Sequence, residues 1–312
     1  MIKQLSRRLL GAAVLLLAIT AITSLLTALV PDPTHNLLGP TATAEQILAK
    51  QHELGLDRPA GERYLGWLAG AVRGDLGVSW FTGLPVAETI AARLPVTASL
   101  AVAATLVSAV LGIAFGLAAA VRRGALDRLL QAVAVLGFAV PGLWVALLLI
   151  IVFAVQLRWL PATGYVAFAE SPAGWARSLV LPVAAIAAGS VAAVAAQTRN
   201  AVAAVLARDY VRTLRGRGLP RWRLLLRHVL RNAAPTALTV VSLQFIGLLG
   251  GAVVVEQIFA VNGLGSLAAA SASRADIPVV LGVVVVGVLI VLTVNLIVDL
   301  LVSWLDPKVR TR

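Results

Sequence analysis

Long uncharged apolar runs alternate with short polar segments along this chain. Residues 9–30 form the first run, 22 residues without a charge, enough at about 1.5 Å per residue to cross a hydrocarbon core of roughly 30 Å. A basic stretch precedes it, as in a secretory signal peptide. The run exceeds a signal's usual apolar core and no small-x-small cleavage site follows, so it reads as a retained first span. Five further runs follow at residues 95–121, 129–155, 179–198, 236–259 and 278–304. Pro95 is expected in the first turn of the second span, where a missing N–H costs least. Pro141-Gly142 should kink the third, and the Ala and Gly of the fourth permit close helix packing. The pattern predicts an all-α polytopic membrane protein with six transmembrane helices.

The polar segments divide the chain further: residues 31–94 as a long loop domain, 95–305 as a membrane core interrupted by a loop at 199–235, and a tail at 306–312. In the first loop, residues 43–54 carry a helical apolar pattern, with Ile47, Leu48 and Leu54. Residues 64–72 form an amphipathic piece whose Tyr64 and Trp67 suit a membrane interface, and residues 74–79 (GDLGVS) make a glycine-punctuated turn. Residues 156–177 carry Trp159, Tyr165 and Trp175, again an interfacial aromatic set.

The loop at 199–235 is the most polar part of the chain. It holds nine arginines (199, 208, 212, 215, 217, 221, 223, 227, 231) against one acid, Asp209. At its centre, Leu214-Arg-Gly-Arg-Gly218-Leu-Pro220 reads as a turn between two short helices. Leu224, Leu225, Val229 and Leu230 recur at helical spacing after it. Such a unit, held between two spans, would present a small rigid surface to a soluble partner. Lipid contact alone would account for single arginines there, but needs neither a glycine turn nor paired helices.

Composition agrees with a membrane protein: 60% hydrophobic and 13% charged residues, with mean hydropathy +0.93, against roughly 45–50% apolar for a soluble domain. The net charge of +12 would point to nucleic acid in a soluble protein. Here 18 of the 26 Lys and Arg fall at the N-terminus, at residues 122–128, in the 199–235 loop and at the C-terminus. Those are alternate loops. The positive-inside rule places them, and both termini, in the cytoplasm. Residues 31–94, with seven acids and five bases, go outside. No cysteine is present and the three histidines (35, 52 and 228) are scattered, which leaves no thiol nucleophile, no disulfide framework and no evident metal cluster.

Acids at membrane depth are costly and usually paired or functional. Glu256 lies near the outer end of the fifth span and Asp299 near the inner end of the sixth, with Asn295 four residues before Asp299 on the same helix face. These three are candidates for a pathway or gate, or for hydrogen bonding within the bundle. Thr97, Ser108, Gln131, Ser190, Gln197, Thr239, Ser242 and Gln244 are candidates for lining a cavity, although Ser and Thr also join helices in membranes. A stand-alone secondary transporter would require relay residues and internal repeats, and an intramembrane protease would require HExxH or a paired-acid motif; the sequence supplies none of these.

Ten short motifs in order resemble a permease subunit of an ATP-binding-cassette importer of the peptide/nickel class, which includes the dipeptide and oligopeptide importers. They are Leu54-Gly-Leu-Asp-Arg-Pro59, Gly74-Asp-Leu-Gly-Val-Ser79, Arg93-Leu-Pro-Val-Thr97, Trp159-Leu-Pro-Ala-Thr-Gly164, Asp209-Tyr-Val-Arg-Thr213, Arg227-His-Val-Leu-Arg-Asn232, Glu256-Gln-Ile-Phe259, Gly263-Leu-Gly265, Asn295-Leu-Ile-Val-Asp299 and Asp306-Pro-Lys308. The long first outer loop is similar to that of one of the two permeases such importers pair.

The resemblance implies a type I importer permease fold and a pathway shared with a second, homologous permease. It implies two cytoplasmic ATPase subunits that bind ATP and Mg, a substrate-binding protein outside, and a place in the bacterial inner membrane. Short peptides are the commonest cargo of the class; nickel, glutathione and oligosaccharides are the alternatives. This chain has no GxxxxGK[ST] phosphate cradle, so it is expected to make no covalent bond and to leave ATP to partner chains, with no nucleic-acid partner. By the same resemblance Arg212, Thr213, Leu214, Arg215, Gly216, Arg217, Gly218, Leu219 and Pro220 form the ATPase-coupling segment, with Gly218 at the glycine of the family's cytoplasmic signature. Arg212 replaces the usual Glu of that signature, Gly216 the usual Ala, Arg231 a frequent Pro and Asn262 another. Glycine at 216 would loosen a helix interior by about 1 kcal/mol.

Overall fold

The computed structural model describes residues 2–28, 33–122, 124, 128, 132, 137 and 140–305. Most of the first half of the third predicted span, Gln131 and the tail 306–312 lie outside the described residues. Helices account for nearly all the regular structure described: α1 (Ile2–Ala28), α2 (Thr34–Leu38), α3 (Ala44–Glu53), α4 (Ala60–Ala71), α5 (Val86–Val121), α6 (Gly142–Leu149), α7 (Pro172–Leu206), α8 (Asp209–Gly216), α9 (Arg221–Arg223), α10 (Leu230–Ile258), α11 (Leu264–Arg274) and α12 (Ile277–Leu305). Wider π-helical turns continue α6 through Ile150–Gln156 and join α9 to α10 through Leu224–Val229.

Four of the described helical runs are long and apolar enough to cross a membrane: Val86–Val121, Pro172–Leu206, Arg221–Ile258 and Ile277–Trp304. Two shorter apolar helices, Leu10–Leu26 and Gly142–Gln156, occupy the first and third predicted spans. All six predicted spans therefore have helical counterparts. The protein is an all-α, multi-pass membrane protein.

The chain divides into two compact units. One comprises the chain up to Pro95 with Gly263–Leu292. In it, α3 starts with a reciprocal cap: Thr43 Oγ1 accepts from Gln46 N–H, and Gln46 Oε1 accepts from Thr43 N–H. Val86, Ile90, Leu264, Leu267, Val279 and Val283 form its core. Gly282 makes room there, since a Cβ on it would stand 2.6 Å from Val86 Cγ1.

The other unit comprises Val96–Asn262 and the chain from Thr293. Helices α7 and α10 pack most extensively in it, around Leu181, Val183, Leu248, Val255 and Phe259. A second cluster, with Val202, Val205, Val211, Leu224 and Val229, lies under the basic loop. Between α5 and α7 the approach is set by Gly112 and Gly116. A Cβ on Gly116 would lie 2.5 Å from Ala195 O, and one on Gly112 would lie 2.6 Å from Val194 Cβ. Small residues four apart let two backbones touch.

Three expectations about prolines and helix ends are corrected. Pro95 is interior to α5, because the helix begins at Val86, whose N–H is donated to Gly77 O by the preceding hairpin. At Pro141 the helix is interrupted, not kinked: Pro141 has ψ 138° and α6 starts after it. The second short helix of the basic loop is not separate, since the helical run Arg221–Ile258 carries it into the fifth span with Pro235 inside. An interior proline costs a helix about 3 kcal/mol. Leu224, Val229, Ala233 and Ala237 stay buried on both sides of Pro235, and their burial offsets that loss. Helix α11, in the segment between the fifth and sixth spans, was not anticipated. Its sequence, LGSLAAASASR, is too rich in small residues to show a period.

Candidate functional site

The basic loop folds as a helix closed by a glycine. Helix α8 buries Val211 completely, with Tyr210 and Leu214 half-buried on the same cluster. Arg212, Arg215 and Arg217 on its outer side are exposed. Its end is a double hydrogen-bonded turn: Gly218 N–H donates to Arg215 O at 3.0 Å and Leu219 N–H to Leu214 O at 3.3 Å, the six-to-one and five-to-two pairing of a Schellman motif. Gly218 has φ +77° and nothing within 4 Å of where a Cβ would be. The position needs glycine for its backbone conformation, not for space. Gly216 is the last residue of α8, so its low helix propensity shortens the helix without weakening an interior.

After Pro220 the arginines remain exposed. Arg223 lies over the Trp222 ring, 5.2 Å from its centroid. Asn232 Nδ2 donates to Tyr210 O–H at 3.1 Å, tying α10 to α8. Arg212 approaches Asp209 only at 3.8 Å with both side chains exposed, a pair worth little. The arginines from Arg208 to Arg231 form an exposed, positively charged surface seated on the segment's own apolar cluster.

The three acid and amide candidates are not brought together. Glu256 is fully buried and its Oε1 accepts from Thr97 Oγ1 of α5 at 2.7 Å. Beside it, Phe259 O accepts from Gly164 N–H at 2.8 Å, so this corner of the unit joins α5, α10 and the Trp159–Gly164 motif. Asn295 accepts from Ser242 Oγ, joining α12 to α10. Ser242 and Glu256 are 14 residues apart on one helix, hence about 21 Å along it. Asp299 is exposed, one turn beyond Asn295.

An open cleft of about 510 Å³ lies among α6, α7 and α10. Gly137, Gly142, Gly189, Gly247 and Gly251 line it, and Ser190 and Gln244 are its polar side chains. Among the described residues its lining offers neutral hydrogen-bonding groups and no charge. Of the other cavity-lining candidates, Thr97 and Ser242 are engaged as described, and Thr239 Oγ1 donates to Pro235 O. Ser108 is buried and Gln197 exposed. The cleft's glycines could not be picked out from sequence, where 26 glycines are spread along the chain.

Sequence reasoning also missed Asp276. It is 4% exposed; its Oδ2 accepts from Ser79 Oγ at 2.6 Å and its Oδ1 from Trp80 N–H at 3.1 Å. Ser79 Oγ in turn accepts from Thr82 N–H at 3.1 Å, and Ser79 N–H donates to Leu84 O. The serine of the GDLGVS motif is thus the anchor of a small hairpin, and Asp276 is what holds it. Asp276→Asn offers one acceptor to two donors, so the unit should lose about 1–3 kcal/mol. Faster tryptic cleavage at the neighbouring exposed Arg73 would report it, and Ser79→Ala combined with Asp276→Asn should be less than additive.

Comparison with known proteins agrees with these features. Residues 112–311 match the family described as binding-protein-dependent transport system inner membrane component, and residues 1–101 match its N-terminal companion. A Brucella abortus (strain 2308) protein with the provisional name of peptide transport system permease is 39% identical over 306 residues, covering 97% of this chain and 98% of the relative. The glutathione transport system permease protein GsiC of Escherichia coli (strain K12) is 36% identical over 312 residues, 99% of each chain. A solved structure of the MetNI methionine ABC transporter, in inward facing conformations, matches with a TM-score of 0.50 over 68% of this chain and 94% of that one. At 17% identity that is a likeness of fold. With both family matches in chain order and the fold in agreement, the chain belongs to the binding-protein-dependent transport system inner membrane components, as a multi-pass permease subunit of an ABC transporter.

Proposed function

We propose that this chain is one of two non-identical permeases that together line an import pathway for short peptides. Two cytoplasmic ATPase subunits bind ATP and Mg, and a binding protein delivers cargo from outside. The observation that carries the coupling role is the glycine-closed turn after α8, which holds Arg212 to Pro220 in one exposed arrangement on a buried apolar cluster. An ATPase that moves this surface moves α8, and through Val211 and Leu224 it moves the ends of α7 and α10. The cleft beside α7 and α10 then changes with nucleotide state, a two-state switch biased by ATP.

Peptide cargo is favoured because the cleft's neutral Ser190 and Gln244 suit amide groups, and because the relatives named above concern peptides or glutathione, itself a tripeptide. Glu256, Asn295 and Asp299 are assigned to holding the helices in register at the two ends of that movement. The test is ATPase activity of the purified assembly in lipid with its binding protein, titrating di-, tri- and longer peptides, glutathione and Ni²⁺. Stimulation by peptides is expected. Stimulation by Ni²⁺ alone would replace the cargo, and an assembly without ATPase activity would end the mechanism.

A further inference from the structure

Helix α4 leaves one apolar face bare. Arg63, Tyr64 and Trp67 lie on one side of it, and Leu65, Ala69 and Val72 on the other, at helical spacing. The first side is fixed to the protein. Tyr64 Oη donates to Leu17 O at 3.2 Å and is 2.9 Å from Thr20 Oγ1, while Trp67 Nε1 donates to Leu76 O at 3.2 Å. On the other side Leu65 is 63% and Val72 82% exposed. Residues 64–72 carry no charge; the exposed Glu62, on the Leu65 side of the first turn, and Arg63 precede them, and Arg73 follows. The stretch 64–72 is apolar on every side, an arrangement that is stable when surrounded by protein or by lipid, not by water.

Depth decides which of these surrounds it. Leu17 and Thr20 lie near the middle of the uncharged run 9–30. Thr20 stands eight residues before Ala28, the end of α1, so about 12 Å below that end. Helix α1 itself presents Leu10, Val14, Ile22 and Leu25 outward, as a span in contact with acyl chains does. The bare face of α4 is carried on the same support, held to it through the Tyr64 hydroxyl. We propose that α4 is embedded in the outer leaflet, with Leu65, Ala69 and Val72 solvated by phospholipid acyl chains and Arg73 reaching the headgroups. The 31–94 segment is then not wholly in water, and the aromatics that suited an interface face the protein, while the aliphatic residues meet the lipid.

The chain has no cysteine, so single substitutions can carry a nitroxide label. Leu65→Cys and Ala69→Cys, with Glu45→Cys on α3 as the water reference, would be labelled in the full assembly with partner cysteines removed. The assembly would sit in nanodiscs of phosphatidylethanolamine and phosphatidylglycerol. At positions 65 and 69 collisions with oxygen are expected to exceed those with a water-soluble nickel chelate, the reverse of position 45, with or without binding protein. Chelate access at 65 and 69 equal to that at 45 would overturn the proposal. So would access that disappears only when the binding protein is added, which would assign the face to that protein.

Discussion

Replacing Gly218 by valine is expected to abolish uptake while the assembly still inserts and still hydrolyses ATP. At φ +77° an ordinary L-residue is disfavoured by about 1–2 kcal/mol, and a β-branched one by more. That is a factor of roughly 5–30 in the population of the turn. When the turn opens, the Leu219 and Gly218 amides lose their acceptors, and Pro220 no longer directs the chain into α9. Force applied at Arg215 and Arg217 then goes into the loop and not into α10. Gly218→Asp should uncouple as well, for a second reason: aspartate tolerates the left-handed region better, but it sets a negative charge among Arg215, Arg217 and Arg221. Gly218→Asn, which tolerates this conformation without the charge, should keep most activity. Peptide uptake and ATPase turnover measured side by side in proteoliposomes separate the cases. Wild-type transport by the Val and Asp variants would remove the coupling role from this turn.

A larger loss of stability is expected from Gly116→Val. A Cβ there would stand 2.5 Å from the backbone oxygen of Ala195 and 2.7 Å from Thr198 Cβ, and backbone cannot rotate away. Helices α5 and α7 must separate, at a cost of about 3 kcal/mol or more, together with the close packing along Gly112 and Gly116. Gly250→Ala is the contrast, since nothing lies within 4 Å of that position. There the methyl should be neutral, or stabilise α10 by up to about 1 kcal/mol. Thermal unfolding of the purified assembly should order the variants Gly116→Val, wild type, Gly250→Ala. An unchanged midpoint for Gly116→Val would mean that α5 and α7 do not meet there.

These expectations rest on different levels of information. Runs of apolar residues too long for a soluble domain were enough to define the spans, because a membrane span is a local, one-dimensional requirement on composition. The glycine turn at 218 was equally legible, since a helix stop is written within a few residues of itself. What periodicity could not reach were contacts between residues far apart in sequence. Asp276 and Ser79 are separated by 197 positions, and nothing near either one announces the other. Gly112 and Gly116 resemble many other small residues until α7 is laid against them. The placement of Pro95 failed for the same reason: local cost puts it in a first turn, whereas the helix runs through it, with Ile90 and Val96 buried on either side.

The sequence by itself determined that this chain is a polytopic membrane protein with a basic, glycine-closed loop, because hydropathy, charge and turn chemistry act over a few neighbouring residues. Only the tertiary structure decided which glycines are contacts, which acid anchors the Ser79 hairpin and which face of α4 is bare, because those depend on what the fold brings within a few ångströms.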